Sequence, residues 1–166
     1  MDHVDTSRYR VRKPYPTVDD ICKNKYYAEL IRDDYASMDS EYTAISQYIF
    51  AHAMTSNEDI AKTFLGIAIV EMSHLDMLAD VIKDLGDIPV FRSGHNEIWN
   101  SNFVPYGTCT KDRIILAIKA EKGAILQYEQ HIKKIDNEDI RKLLARIIMD
   151  EELHIKIFED LLKKYY

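Results

Sequence analysis

The chain has 166 residues, 46% of them hydrophobic and 30% charged, with a formal net charge of −6. This balance suits one compact domain with a real core and excludes general disorder, while the acidic sign argues against a nucleic-acid groove. No run of about 18 apolar residues offers a membrane span and the opening residues lack the apolar stretch of a secretory signal, so a cytoplasmic location is expected.

Residues 1–23 read as an extended arm, because Pro14 and Pro16 disfavour helix. Its basic residues Arg8, Arg10, Arg12 and Lys13 are offset by Asp2, Asp5, Asp19 and Asp20, as in a surface or subunit-contact segment. Cys22 and Cys109 make no Cys-x-x-Cys pair, so they are expected to be reduced structural thiols, not part of a zinc ribbon or rubredoxin-type centre.

Residues 24–166 carry the helical period. A first helix is expected over about Asn24 to Met54, with Ile31, Tyr35, Met38, Glu41, Ile45, Tyr48 and His52 on one stripe. After a short turn, Ser56 or Asn57 can cap a second helix with Phe64, Ile67, Glu71, His74, Leu78 and Leu85 on its stripe. Residues 86–110 then lose the period and contain Gly and Pro, which makes them a long crossover in which Trp99 is the expected anchor. A third helix follows from about Lys111 with Ile114, Ile118, Glu121, Ile125, Tyr128, Ile132 and Ile135 aligned. A fourth carries Ile140, Leu143, Ile147, Glu151, His154, Phe158 and Leu161. The reading is all-α: a four-helix bundle of two antiparallel hairpins joined by one long crossover.

The hairpins repeat. "EYTAISQY" at 41–48 returns as "EKGAILQY" at 121–128, and a shift of 80 residues carries Glu41 to Glu121, Glu71 to Glu151 and His74 to His154. Each pair lies about 15 residues from its turn, roughly 22 Å at helical rise, so all six side chains meet near mid-bundle. Four carboxylates in one apolar core need positive charge, and their stripes hold neither Lys nor Arg. Metal ions can supply it. Glu-x-x-His places both donors on one helix face, and a mixed nitrogen and oxygen set suits a pair of iron or manganese ions with bridging carboxylates. The bland alternative is a bundle that has lost its metal.

The segments "EYTAISQYIFAHAM", "VEMSHLDM", "KAEKGAILQY" and "DEELHIKIFEDLL" resemble the metal-binding helices of bacterioferritin and its rubrerythrin relatives over roughly residues 26–164, within the ferritin-like superfamily. By that resemblance Glu41 and Glu121 are terminal ligands, Glu71 and Glu151 bridging ligands, and His74 and His154 one imidazole on each metal. The chain departs from rubrerythrins at Ala124, where they carry a further Glu, and has no appended rubredoxin-like domain; it ends without the short fifth helix of the cage-forming ferritins. Manganese catalases resemble the same core. The implied function is a di-iron protein reacting with O2 or hydrogen peroxide, reduced by a separate donor protein such as a rubredoxin. The alternatives are ferroxidase with iron storage, or a manganese catalase. A homo-oligomer is expected.

Met72 resembles the haem-binding Met of bacterioferritins, although a Met one residue off the metal stripe is more often ordinary packing. Tyr48 and Tyr128, seven residues beyond Glu41 and Glu121, can reach the opposite hairpin's ligands as hydrogen-bond donors. His3, His52, His95 and His131 fall in loops or toward helix ends, and Asp150 and Glu152 are read as solvated or supporting, not as ligands.

Overall fold

A computed structural model describes residues 5–19 and 21–166, so Asp2, His3 and Asp20 lie outside it. Its helices are α1 (Lys25–Ala36), α2 (Glu41–Ala53), α3 (Glu58–Asp84), α4 (Thr110–Lys134) and α5 (Glu138–Tyr165), with a 3-10 turn at Ser101–Phe103. Asn57 and Asn137, equivalent under the 80-residue repeat, cap α3 and α5 by accepting from Ile60 N at 3.1 Å and Ile140 N at 2.9 Å. The hairpins α2/α3 and α4/α5 pack against each other through α2 with α4 and α3 with α5. The fold is the all-α, four-helix bundle with a single crossover.

One expectation is corrected. The first helix does not run unbroken to Met54; it stops at Ala36 and restarts at Glu41. Ser and Thr hydroxyls take over the backbone there: Ser40 Oγ donates to Ser37 O at 2.8 Å and accepts from Thr43 N, while Thr43 Oγ1 donates to Ser37 O at 2.6 Å. Gln127 Nε2 on α4 holds the Asp39 carbonyl at 2.9 Å. The break turns Met38 outward to 60% exposure, off the core stripe, and makes Glu41 the first residue of a helix, where the dipole favours a carboxylate.

Two apolar clusters lie at different heights of the bundle. One includes Leu78, Ile82, Tyr128, Leu144 and Ile147, the other Tyr9, Tyr48, Phe64, Ile67 and Phe158. The six acidic and imidazole residues, on α2, α3, α4 and α5, belong to neither cluster. The crossover is tied down along α1 and α2: Trp99 Nε1 donates to Thr43 Oγ1 at 2.9 Å, Gly94 N to Asp33 Oδ1 at 2.8 Å, and Phe91 stacks on Tyr42 at 4.1 Å. Cys22 and Cys109 are free and exposed. Among the described residues no helix is long and apolar enough to cross a membrane.

The arm carries turns and bends over 7–10 and 12–13, and while its Arg8, Arg12 and Lys13 are exposed, one of its side chains enters the core. Tyr9 is only 2% exposed and packs into the second apolar cluster. Its ring lies where a Cβ on Gly66 would stand, about 2.0 Å from that position, so α3 needs a glycine there.

Candidate metal centre

Glu41 on α2, Glu71 and His74 on α3, Glu121 on α4, and Glu151 and His154 on α5 are all at most 4% exposed. They form two overlapping groups. Glu41, Glu71, His74 and Glu151 each offer an atom within 4.8 Å of the others, and so do Glu71, Glu121, Glu151 and His154. Glu71 and Glu151 belong to both.

Both imidazoles aim Nδ1 inward. His74 Nδ1 lies 2.9 Å from Glu71 Oε2, 3.3 Å from Glu151 Oε1 and 3.6 Å from Glu41 Oε2. His154 Nδ1 repeats the arrangement at 2.9 Å from Glu151 Oε2, 3.0 Å from Glu71 Oε1 and 3.5 Å from Glu121 Oε1. The outer nitrogens are separately engaged: His74 Nε2 meets Asp150 Oδ2 at 3.1 Å, and His154 Nε2 donates to the Tyr9 carbonyl at 2.8 Å. A carbonyl can only accept, so His154 carries its hydrogen on Nε2, which leaves the Nδ1 lone pair for the interior.

The residues fit a metal pair. Glu71 Oε1 and Glu151 Oε1 are buried and accept no hydrogen bond, although an imidazole nitrogen stands within 3.3 Å of each. One Nδ1 has a single hydrogen or a single lone pair, and two carboxylate oxygens contend for it. An ion on each side would satisfy both oxygens at once.

The electrostatics carry the same strain. Burial first, then the facing carboxylates Glu151 and Glu71, push the Glu41 carboxyl well above its usual range, and Glu121 is raised likewise. For His74 burial acts downward, but Glu151 and Glu41 outweigh it and hold the imidazole well above its ordinary value; for His154 the same balance is set chiefly by Glu71. Glu71 is opposed by burial yet drawn to about 2 by His154 and His74. Protons thus hold the places of cations.

Tyr48 OH donates to Glu121 Oε1 at 2.6 Å, and Tyr128 OH donates to Glu41 Oε1, so each phenol crosses to the other hairpin's carboxylate. Burial and then those carboxylates raise both phenols well above their usual value. Met72 is 43% exposed on α3. His52 Nδ1 meets Ala61 O, and His131 pairs with Asp34 at 2.8 Å, both away from the cluster; His95 is exposed in the crossover.

Three participants have no signal in helical spacing: Asp150, the Tyr15 phenol bonded to it at 2.5 Å, and the Tyr9 carbonyl. The visible trace is that Asp150 stands where the other hairpin has Val70.

Residues 36–165 match the model of the Ferritin-like domain. A probable manganese catalase of Clostridium acetobutylicum is 22% identical over 163 residues, covering 86% of this chain and 72% of that protein. The crystal structure of a manganese catalase from Anabaena superposes with a TM-score of 0.86 at 23% identity, covering 93% of this chain and 79% of its own. A bacterioferritin from Rhodobacter capsulatus gives 0.71 at 20% identity, covering 87% of this chain and 88% of its own. The structural likenesses carry the fold, and the family match extends from the end of α1 almost to the end of α5: the chain belongs to the ferritin-like domain family.

Proposed function

We propose that the protein is an oxidoreductase in which two redox-active divalent ions, iron or manganese, lie between the hairpins and hydrogen peroxide is the substrate. The observation that carries this reading is the pair Glu71 and Glu151, each shared by both donor groups and each keeping one buried oxygen without a hydrogen bond. As bridging carboxylates they would hold the ions together, with Glu41 and His74 completing one donor set and Glu121 and His154 the other. Bound there, such ions exchange electrons with the oxidant and polarise its oxygens.

The chain's own residues prepare the site. Tyr128 and Tyr48 engage one oxygen each of Glu41 and Glu121, which orients these carboxylates toward the interior. Phe64, Phe158, Leu78 and Ile147, all fully buried, exclude bulk water above and below. A cavity of about 20 Å3 lined by Ser40, Glu41, Ala120, Glu121 and Ala124 reaches the carboxylates. That volume holds a water-sized molecule and no organic substrate.

Peroxide is favoured over dioxygen because the likeness to a manganese catalase covers 93% of this chain, against 87% for the bacterioferritin. A redox-active pair held by these two donor sets would supply the electron exchange that turns two hydrogen peroxides into one dioxygen and two waters without an outside reductant. Metal analysis of protein purified without added metal, followed by peroxide turnover with and without a reductant, tests the reading. Steady dioxygen release without reductant is the expected result. Turnover only with a reductant such as reduced rubredoxin would replace catalase-type chemistry by a peroxidase with a separate donor. A particle of hundreds of kilodaltons that mineralises ferrous iron would overturn both in favour of iron storage.

A further inference from the structure

Under the 80-residue repeat the inner donors are equal, but the outer faces of the histidines are not. Position 150 is Asp and its counterpart is Val70, so His74 Nε2 has a carboxylate partner while His154 Nε2 has none from the bundle. Position 146 is Arg and its counterpart is Gly66. At these two mismatches the arm docks. Arg146 Nε and Nη2 donate to Lys13 O at 2.9 Å and Val11 O at 2.7 Å, Arg146 caps the Tyr15 ring at 4.3 Å, and Gly66 clears the space for Tyr9. The strap then reaches both histidines. Tyr9 O accepts from His154 Nε2, while Val11 N at 2.7 Å and Tyr15 OH at 2.5 Å donate to Asp150, the partner of His74.

We propose that residues Tyr9 to Tyr15 are a built-in part of the metal centre, making its half-sites unequal so that the ion held through His74 binds first and the ion held through His154 depends on the strap. This rests on the two-metal reading above. The physical reason lies in the acceptor on each Nε2. An imidazole donating to a carboxylate is a stronger Nδ1 donor than one donating to a neutral carbonyl, and losing such an outer partner weakens metal binding about 10- to 100-fold. Asp150 belongs to α5 itself, whereas the Tyr9 carbonyl is present only while the strap is docked. Tyr9 and Asp150 are therefore positioning residues that act through the histidines.

Calorimetric titration of the metal-free full chain with Mn(II) alone tests this, with circular dichroism as the control for folding. The unmodified chain is expected to fill in two steps of different affinity. Gly66→Ala, whose methyl displaces Tyr9, should leave the first step in place and weaken the second about 10- to 100-fold. Tyr9→Ala, which removes the ring that anchors the strap in the second apolar cluster without adding bulk to α3 and without touching the Arg146–Asp150 ion pair, should do the same if Gly66→Ala fails to fold. Asp150→Asn should instead weaken the first step and draw the two together. A single step of equal affinity in the unmodified chain, or equal weakening of both steps by Gly66→Ala and Tyr9→Ala, overturns the proposal and leaves the two-metal reading standing. Fewer than two Mn(II) per chain, unaffected by Glu41→Ala, overturns the two-metal reading instead.

Discussion

Tyr48 and Glu121 belong to different hairpins and meet at 2.6 Å in the centre of the bundle, and Tyr128 meets Glu41 in the mirrored contact. Each phenol donates across the bundle to a buried carboxylate of the other hairpin. Tyr48→Phe and Tyr128→Phe should therefore each weaken one metal about tenfold or more, by similar amounts, and cost the metal-free protein about 1–3 kcal/mol through an unsatisfied buried oxygen. Metal content after dialysis against a graded chelator, together with urea unfolding, measures both. Two variants that keep full metal content and full stability would remove the phenols from the site.

The site's pH behaviour follows from four groups held above their ordinary values. Glu41, Glu121, His74 and His154 bind protons more tightly in the folded metal-free chain than in the unfolded one. A raised folded value contributes stability below the unfolded value and loses it as pH rises through the folded one. The melting temperature of the metal-free protein should therefore fall as pH rises above about 6.5, the unperturbed imidazole value. Glu71, drawn to about 2, acts oppositely: it stabilises above the ordinary carboxylate value and loses this only in strong acid, outside that window. Metals displace the extra protons, so the rise in melting temperature on adding Mn(II) should grow with pH. Thermal scans from about pH 6 to 9 with chelator or Mn(II) decide it, and a metal-induced shift that shrinks with pH would contradict the proton-for-metal exchange.

Much of this was legible in the chain itself, because ligand spacing on long helices is a geometric statement. Glu-x-x-His on two stripes, each paired with a Glu on the preceding helix, brings six side chains together whatever the loops do. Two features were not legible. The break at 37–40 depends on Ser and Thr hydroxyls competing with the helix ladder, and an otherwise continuous apolar stripe hides it. The strap has no period at all, and its docking depends on long-range contacts between residues more than 130 positions apart, such as Val11 with Asp150. Its trace lies in the failure of the repeat, at Gly66 against Arg146 and Val70 against Asp150. Symmetry pointed to the six clustered side chains, and broken symmetry pointed to the strap that contacts two of them.

Phe158 ties the core to the site. It is fully buried, with its ring centroid 5.2 Å from Phe64 and 5.6 Å from Tyr48, the residue bonded to Glu121. Phe158→Ala should cost about 3–5 kcal/mol, because the cavity cannot collapse between three packed helices. The loss should also loosen Tyr48, so metal bound through Glu121 should be released at lower chelator than metal bound through Glu41. Denaturant unfolding and chelator titration on the same preparation test the link. Destabilisation with unchanged metal retention would separate the core from the site.

Ala124 separates access from binding. It lines the cavity of about 20 Å3 beside Glu41 and Glu121, on the face of α4 opposite the helix break, and donates nothing to the metal groups. A leucine there would fill space that a water-sized oxidant needs, at an overpacking cost of about 1–3 kcal/mol. If this cost falls on substrate entry, Ala124→Leu should reduce peroxide turnover about tenfold or more while both metals stay bound. Ala124→Gly leaves the space open and should keep turnover near that of the unmodified protein. Reading metal content and turnover on the same samples distinguishes the cases: full metal with little turnover in Ala124→Leu places the peroxide route between α2 and α4. Full turnover in that variant would put the entrance elsewhere, because no water-sized path past residue 124 would remain.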